Sequence, residues 1–352
     1  MIPGVDLSYD PAIQITGNGP PLVLVPGMDG TGRLFYRQVP LLARRYRVAT
    51  YRLRDDAPSM AVLVDDLAAV IRAASPSGAP AVVVGESFGG TVAMSLALSR
   101  PDLVAGLVVL NSFPYFVPRE RLRLAIFALR ALPFPWQVMG LVRRLTAFRL
   151  HSRHTHRAEI KRFLELTAAT TRPAYLARLR ILLAYDVRDR LAEIRAPTLF
   201  LAAEHDHLVP SVEQARDMAA LVPGATFRVL AGHGHICLIA PDIDLETILA
   251  RWGPPAGNQG ESMNQRLHNL LTDLHGELLA ARDVSPKDRD LLQHLAEDIR
   301  TIVEAEPASH APATYHPLRQ RLAEGVKAFE ASHPQLSKTL ANAIDTLALY
   351  NL

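Results

Sequence analysis

Short apolar runs recur along the first 250 positions, and most leave no polar face. They are "PLVLVPG" (21–27), "YRVATYRL" (46–53), "AVVVGES" (81–87), "AGLVVLNSF" (105–113), "PTLFLAAEHD" (197–206) and "TFRVLAG" (226–232). Apolarity at successive positions fits strands covered on both sides, as in a parallel sheet. Between them, residues 59–74 and 88–100 carry apolar residues at helical spacing. This alternation predicts an α/β fold with a mostly parallel, doubly wound sheet. Its chemistry belongs at the carboxyl ends of the strands. About 80 residues separate the fourth run from the fifth, room for a helical cap at about 114–190.

The pattern changes after "WGPPAGNQGES" (252–262), a polar Pro/Gly stretch suited to a linker. From 263 onward only helical periodicity remains. Leu267, Leu270, Leu271, Leu274 and Leu278 form one stripe, and Leu291, Leu292, Leu295, Ile299 and Ile302 a second behind the cap-like Ser285-Pro286. Leu318, Leu322, Val326 and Phe329 mark a third, and Leu336, Leu340, Ile344 and Leu347 a fourth. Such stripes cannot bury themselves alone. The expectation is a separate all-α bundle or coiled coil over 263–352, able to self-associate. The expected division is thus 1–252, a linker at 253–262, and 263–352.

Within the first part, Gly85-Glu86-Ser87-Phe88-Gly89 matches G-x-S-x-G placed between a strand and a helix. In that context Ser87 is the candidate nucleophile, lifted above the sheet by a turn too tight for side chains at Gly85 and Gly89. A serine hydroxyl needs a base, and the base needs an orienting acid. "AAEHDHLVP" offers Glu204 and Asp206 after the fifth run, and "LAGHGHICLIAP" offers His233 and His235 after the sixth. His205 and His207 read as solvated loop residues. His151, His154 and His156 in "HSRHTHR" read as a basic loop, and His268, His275 and His294 as solvated helix faces. No metal site is expected.

These motifs resemble the α/β-hydrolase superfamily over about 15–252. The resemblance implies Asp206 as the acid, in Asp206-His207-Leu208-Val209-Pro210, and His235 as the base, ending Val229–His235. It also implies an oxyanion hole from the backbone N–H groups of Phe88 and Met28, the latter in "LVPGMDGTG". The glycines at 27, 30 and 32 are expected to let that loop approach substrate, with Asp29 supporting the loop. The string "PGMDGTG" resembles a subgroup of bacterial hydrolases and plastid acyltransferases that make phytyl and acylglycerol esters. Residues 263–352 resemble a small bacterial helical family of unknown function.

Composition and charge narrow the reading. The chain is 49% hydrophobic and 21% charged, as in ordinary globular proteins, and Cys237 is its only cysteine. A disulfide framework and a thiolate metal site are thereby excluded. The N-terminal stretch lacks a basic segment followed by an apolar one, so a cytoplasmic protein is expected. Charge is uneven: 113–190 carries 16 basic against 5 acidic residues, whereas 261–352 carries 9 against 13. Arginines interleaved with Leu, Ile, Phe and Trp at 117–150 allow the cap to contact a membrane surface. The expected function is hydrolysis of apolar, lipid-like carboxylic esters through an acyl-enzyme on Ser87. The expectation includes a small-molecule ester substrate, no cofactor and no nucleic acid. Acyl transfer to an alcohol, or a non-catalytic binding module, are the alternatives.

Overall fold

The computed structural model describes residues 12–131, 150–152, 155–253, 293–300, 316–329, 340 and 344. The chain separates into two compact units: Met1–Ala250 with Pro254–Gly257, and Arg251–Gly253 with Asn258–Leu352.

The first unit is built on a seven-stranded sheet ordered β1-β3-β2-β4-β5-β6-β7. Its strands are β1 (Gln14–Thr16), β2 (Pro21–Val25), β3 (Arg47–Thr50), β4 (Ala81–Glu86), β5 (Val104–Leu110), β6 (Thr198–Ala203) and β7 (Thr226–Leu230). All pairings are parallel except β1 with β3. Six strands coincide with the six apolar runs. The seventh, β1, is three exposed residues on the sheet edge, too short and too polar to stand out as a run.

Strands β4 and β6 are buried at every position, which explains their unbroken apolarity. Helix α1 (Gln38–Leu42) is short, and α2 (Met60–Ala74) buries Leu63, Leu67, Val70, Ile71 and Ala74 against the sheet. Each large apolar side chain so buried contributes about 1.5–3 kcal/mol. Helix α3 (Phe88–Ser99) is buried nearly all round. Its small residues permit close approach: a Cβ on Gly90 would lie 2.5 Å from the Ser112 side chain.

The cap is inserted between β5 and β6. Its described parts are α4 (Arg119–Ala131), the segment 150–152, α5 (Arg157–Thr167) and α6 (Arg172–Ala184). Thr171 caps α6 by accepting from the Ala174 amide at 3.2 Å. The fold closes with α7 (Ser211–Leu221) and α8 (Leu245–Trp252). Among the described residues, no helix is long and apolar enough to cross a membrane.

In the second unit, residues 293–300 and His316–Phe329 are helical, as are positions 340 and 344. Leu295, Ile299, Leu318, Leu322 and Leu340 are buried, on the stripes read from the sequence. Arg321 pairs with Asp298 between the two longer segments. His294 is exposed. The first stripe (267–278), Leu291, Leu292, Ile302, Leu336 and Leu347, the Ser285-Pro286 cap, and His268 and His275 lie outside the described residues.

Candidate active site

Ser87 stands between β4 and α3 with φ 53° and ψ −119°, a conformation that L-residues rarely adopt. A Cβ on Gly85 would sit 2.4 Å from the Gly89 carbonyl oxygen, and one on Gly89 would sit 2.1 Å from that of Val25. The turn itself requires glycine at position 85, and the close approach of β2 requires it at position 89. The Ser87 amide donates to Leu110 at 2.8 Å, fixing the elbow to the end of β5.

Three remote segments meet there. His235 Nε2 lies 3.0 Å from Ser87 Oγ, and His235 Nδ1 lies 2.6 Å from Asp206 Oδ2. An ionised carboxylate only accepts, so Nδ1 carries the proton and Nε2 presents its lone pair to the Ser87 hydroxyl. Asp206 also accepts from the Leu208 and Val209 amides at 2.9 and 3.0 Å and from the Ser211 hydroxyl. Burial alone would raise the Asp206 carboxyl, but the charge and hydrogen bond of His235, together with the hydrogen bonds from Ser211 and Val209, outweigh it and hold Asp206 below its ordinary value. Burial would likewise lower His235. The Asp206 charge and hydrogen bond win, with help from Glu86, and raise it.

The alternatives left open by the motifs are placed elsewhere. Glu204 is exposed and accepts from the Gly232 amide at 2.7 Å. His233 is buried, with Nδ1 2.7 Å from Ser152 Oγ and Nε2 3.5 Å from Asp242. His205 is half-exposed beside Glu204, and His207 is exposed. His154 lies outside the described residues. His151 departs from the expectation of a solvated loop: it is 7% exposed, edge-on to Phe163, and burial lowers its pKa to about 4. The cause is tertiary. Segment 150–152 lies along the His235 loop, where the Ile236 amide donates to Leu150 at 2.8 Å.

The loop after β2 carries a second correction. Gly27 and Met28 line the cavity in front of Ser87, but Gly30 and Gly32 serve the fold rather than a substrate. Both have positive φ, and added Cβ atoms would strike the Arg178 guanidinium at 2.3 Å and the Tyr51 carbonyl at 2.4 Å. Asp29 supports the loop as expected, accepting from the Thr31 amide and hydroxyl at 2.8 and 2.6 Å.

The cavity has a volume of about 160 Å³ and holds Ser87 and His235 in its wall. Met28, Leu34, Leu150, Phe163, Tyr175, Leu208 and Ile236 make most of the lining apolar. Glu86 also lines it. Only 6% exposed, its carboxyl is raised by burial to about 7, with His235 opposing the shift and Asp29 adding to it. Among the described residues, no group of three or more His, Cys, Asp or Glu is arranged to hold a metal ion.

Three residues that frame the site escaped the sequence reading. Asn111, just after β5, donates to the His235 carbonyl at 2.7 Å and accepts from the Ala203 amide at 2.7 Å. A polar residue ending an all-apolar strand at its carboxyl end was the available signal. Arg178 of α6 reaches the loop after β2, and nothing in the sequence sets it apart from its neighbouring arginines. Glu86 was visible as part of the motif, but its lining role depends on which way the turn faces.

The alpha/beta hydrolase family model matches residues 22–247, and the model of a domain of unknown function, DUF4404, matches residues 267–349. A chain from Azorhizobium caulinodans described as "Putative carbamate hydrolase RutD" is 30% identical over 269 residues, which is 70% of this chain and 95% of that one. The pimeloyl-(acyl-carrier protein) methyl ester esterase of Stenotrophomonas maltophilia is 32% identical over 237 residues, 63% of this chain and 88% of that one. Among solved structures, a thermophilic esterase from Thermogutta terrifontis shares the fold at a TM-score of 0.60. It has 24% identity over 70% of this chain and 94% of the esterase. With its strand order, its serine elbow and this match, the chain belongs to the alpha/beta hydrolase family and carries a DUF4404 domain after it.

Proposed function

We propose that the chain is a serine hydrolase that cleaves carboxylic esters through an acyl-enzyme on Ser87. The observation that carries this reading is the continuous line Ser87–His235–Asp206, with contacts of 3.0 and 2.6 Å. Ser87 Oγ attacks the ester carbonyl while His235 Nε2 takes its proton, and Asp206 stabilises the resulting imidazolium. The oxyanion accepts from the Met28 and Phe88 amides. His235 then protonates the leaving alcohol. Water, deprotonated by His235 in turn, releases the acid.

The cavity supports a compact apolar group next to the carbonyl. Its 160 Å³ resembles the roughly 150 Å³ apolar cavity that accommodates benzene. A group of about six carbons fills such a space, and longer chains must leave through its mouth. The esterase and carbamate-hydrolase descriptions of the relatives agree with acyl chemistry of this kind.

The test is turnover of p-nitrophenyl esters graded by chain length, together with labelling by a fluorophosphonate probe. Ser87→Ala should lose both, with kcat down about 10⁴–10⁶-fold. A fully active Ser87→Ala variant removes the proposal. Ester formation from a supplied long-chain alcohol, in excess of hydrolysis, would make the alcohol the second acceptor and the chain an acyltransferase.

A second surface supports contact with anionic lipid. On α4, Leu124 and Phe127 are 67% and 65% exposed, beside Arg121, Arg123 and Arg130. Flotation with phosphatidylglycerol vesicles but not with phosphatidylcholine vesicles is expected, and should be lost in Leu124→Ser/Phe127→Ser. Equal flotation with and without that pair would end the idea.

A further inference from the structure

The loop that carries Met28 is held from the cap. The Arg178 side chain, 1% exposed, extends from α6 beneath this loop. Its Nη1 donates to the Met28 carbonyl at 2.9 Å and to the Asp29 carbonyl at 3.3 Å. Its Nη2 reaches the carbonyls of Leu53 and Arg54 and the Asp55 carboxylate at 3.4–3.5 Å. Thr170, just before α6, donates its hydroxyl to the Asp29 carbonyl at 2.8 Å.

Successive peptide planes around Met28 are thereby fixed. The Gly27 carbonyl accepts from the Gly30 amide at 3.0 Å, which orients the plane containing the Met28 N–H. Because a trans peptide opposes its N–H to its C=O, that N–H points away from the turn interior. The next plane, with the Met28 carbonyl, is held by Arg178, and the one after it, whose N–H is that of Gly30, is held at its Asp29 carbonyl by Thr170 and Arg178 as well. Gly30 leaves the space that the guanidinium fills.

We infer that Arg178 is a positioning residue through which the cap sets the geometry of the Met28 amide for the transition state. This rests on the proposed acyl-enzyme chemistry. A guanidinium is needed because its planar fork spans several carbonyls at once, which an ammonium on a shorter reach cannot do. Substrate in its ground state presents a carbonyl that binds this amide weakly, so the clamp acts on kcat more than on KM.

The experiment compares Arg178→Lys, Arg178→Ala and Thr170→Val with the wild-type full chain, using p-nitrophenyl butyrate and a trifluoromethyl ketone inhibitor. In Arg178→Lys, kcat should fall about 10- to 100-fold, short of the 10²–10³-fold loss of a whole oxyanion donor. KM should stay near the wild-type value, and inhibitor affinity should weaken in step with kcat. Thr170→Val should show the same split on a smaller scale, which keeps the test alive if arginine variants do not fold. Added methylguanidinium should restore kcat in folded Arg178→Ala. Unchanged kcat in both Arg178→Lys and Thr170→Val overturns the inference. So does a loss explained wholly by a smaller folded fraction. If the wild type is active and Ser87→Ala is dead while these variants are normal, only this inference falls. If Ser87→Ala is as active as wild type, the reading beneath it falls too.

Discussion

At the scale of the residue, Glu86 is the group whose behaviour most depends on its surroundings. A carboxyl beside the nucleophile, buried in the cavity wall, ionises only near pH 7. Its folded pKa lies above its ordinary 4.5, so its stabilising share is complete below about 4.5 and disappears as pH rises through 7. Glu86→Gln removes that loss. Its stability relative to wild type should be higher at pH 8 than at pH 4.5 by roughly 2–4 kcal/mol, read from urea unfolding at both values. A difference independent of pH would contradict the assignment. The same substitution removes a negative charge that helps His235 hold its proton. Since the base must be neutral to act, the acidic limb of kcat/KM should move to lower pH in Glu86→Gln, and an unmoved limb would count against the coupling.

Between elements, the site depends on strand ends being tied to one another. Asn111 joins the ends of β5 and β6 to the loop that bears His235, and it does so at φ 49°, a left-handed conformation that asparagine tolerates. Asn111→Gly keeps that conformation but strands the Ala203 amide and His235 carbonyl, costing about 2–3 kcal/mol. Asn111→Ala adds backbone strain of about 1–2 kcal/mol. Thermal melts should therefore rank wild type above Gly and Gly above Ala, with fluorophosphonate labelling slowed in both. An alanine variant as stable as wild type would deny Asn111 this role. The cap is tied in by the same means. Ser152 meets His233, Leu150 accepts from Ile236, and Glu159 of α5 binds Tyr36 and Arg37. These bonds explain why His151, read as a solvated member of "HSRHTHR", is buried: its neighbours' partners lie more than 80 positions away.

For the whole molecule, the proposed catalytic groups, the loop after β2, the cavity and Arg178 all belong to the first unit. Deleting residues 258–352 should therefore leave p-nitrophenyl butyrate hydrolysis intact, whereas loss of activity in a folded, truncated chain would assign the DUF4404 domain a part in the site. The sequence by itself determined six of seven strands, because burial on both faces forces apolarity at consecutive positions and that is legible without coordinates. The serine elbow was legible in part: the crowding at Gly85 comes from Gly89 and Gly90 close by in the chain, whereas Gly89 is crowded by the Val25 and Pro26 carbonyls, which only packing brings there. Resemblance chose His235 over His233 and Asp206 over Glu204, and the structure places His235 between Ser87 and Asp206. Only the tertiary structure decided the use of Arg178, Asn111 and Ser152. Each acts on a partner from a distant stretch of chain, and a polar side chain carries no mark of which remote carbonyl it will meet. Periodicity reports which face of an element is buried; it says nothing about hydrogen bonds made after the elements have packed.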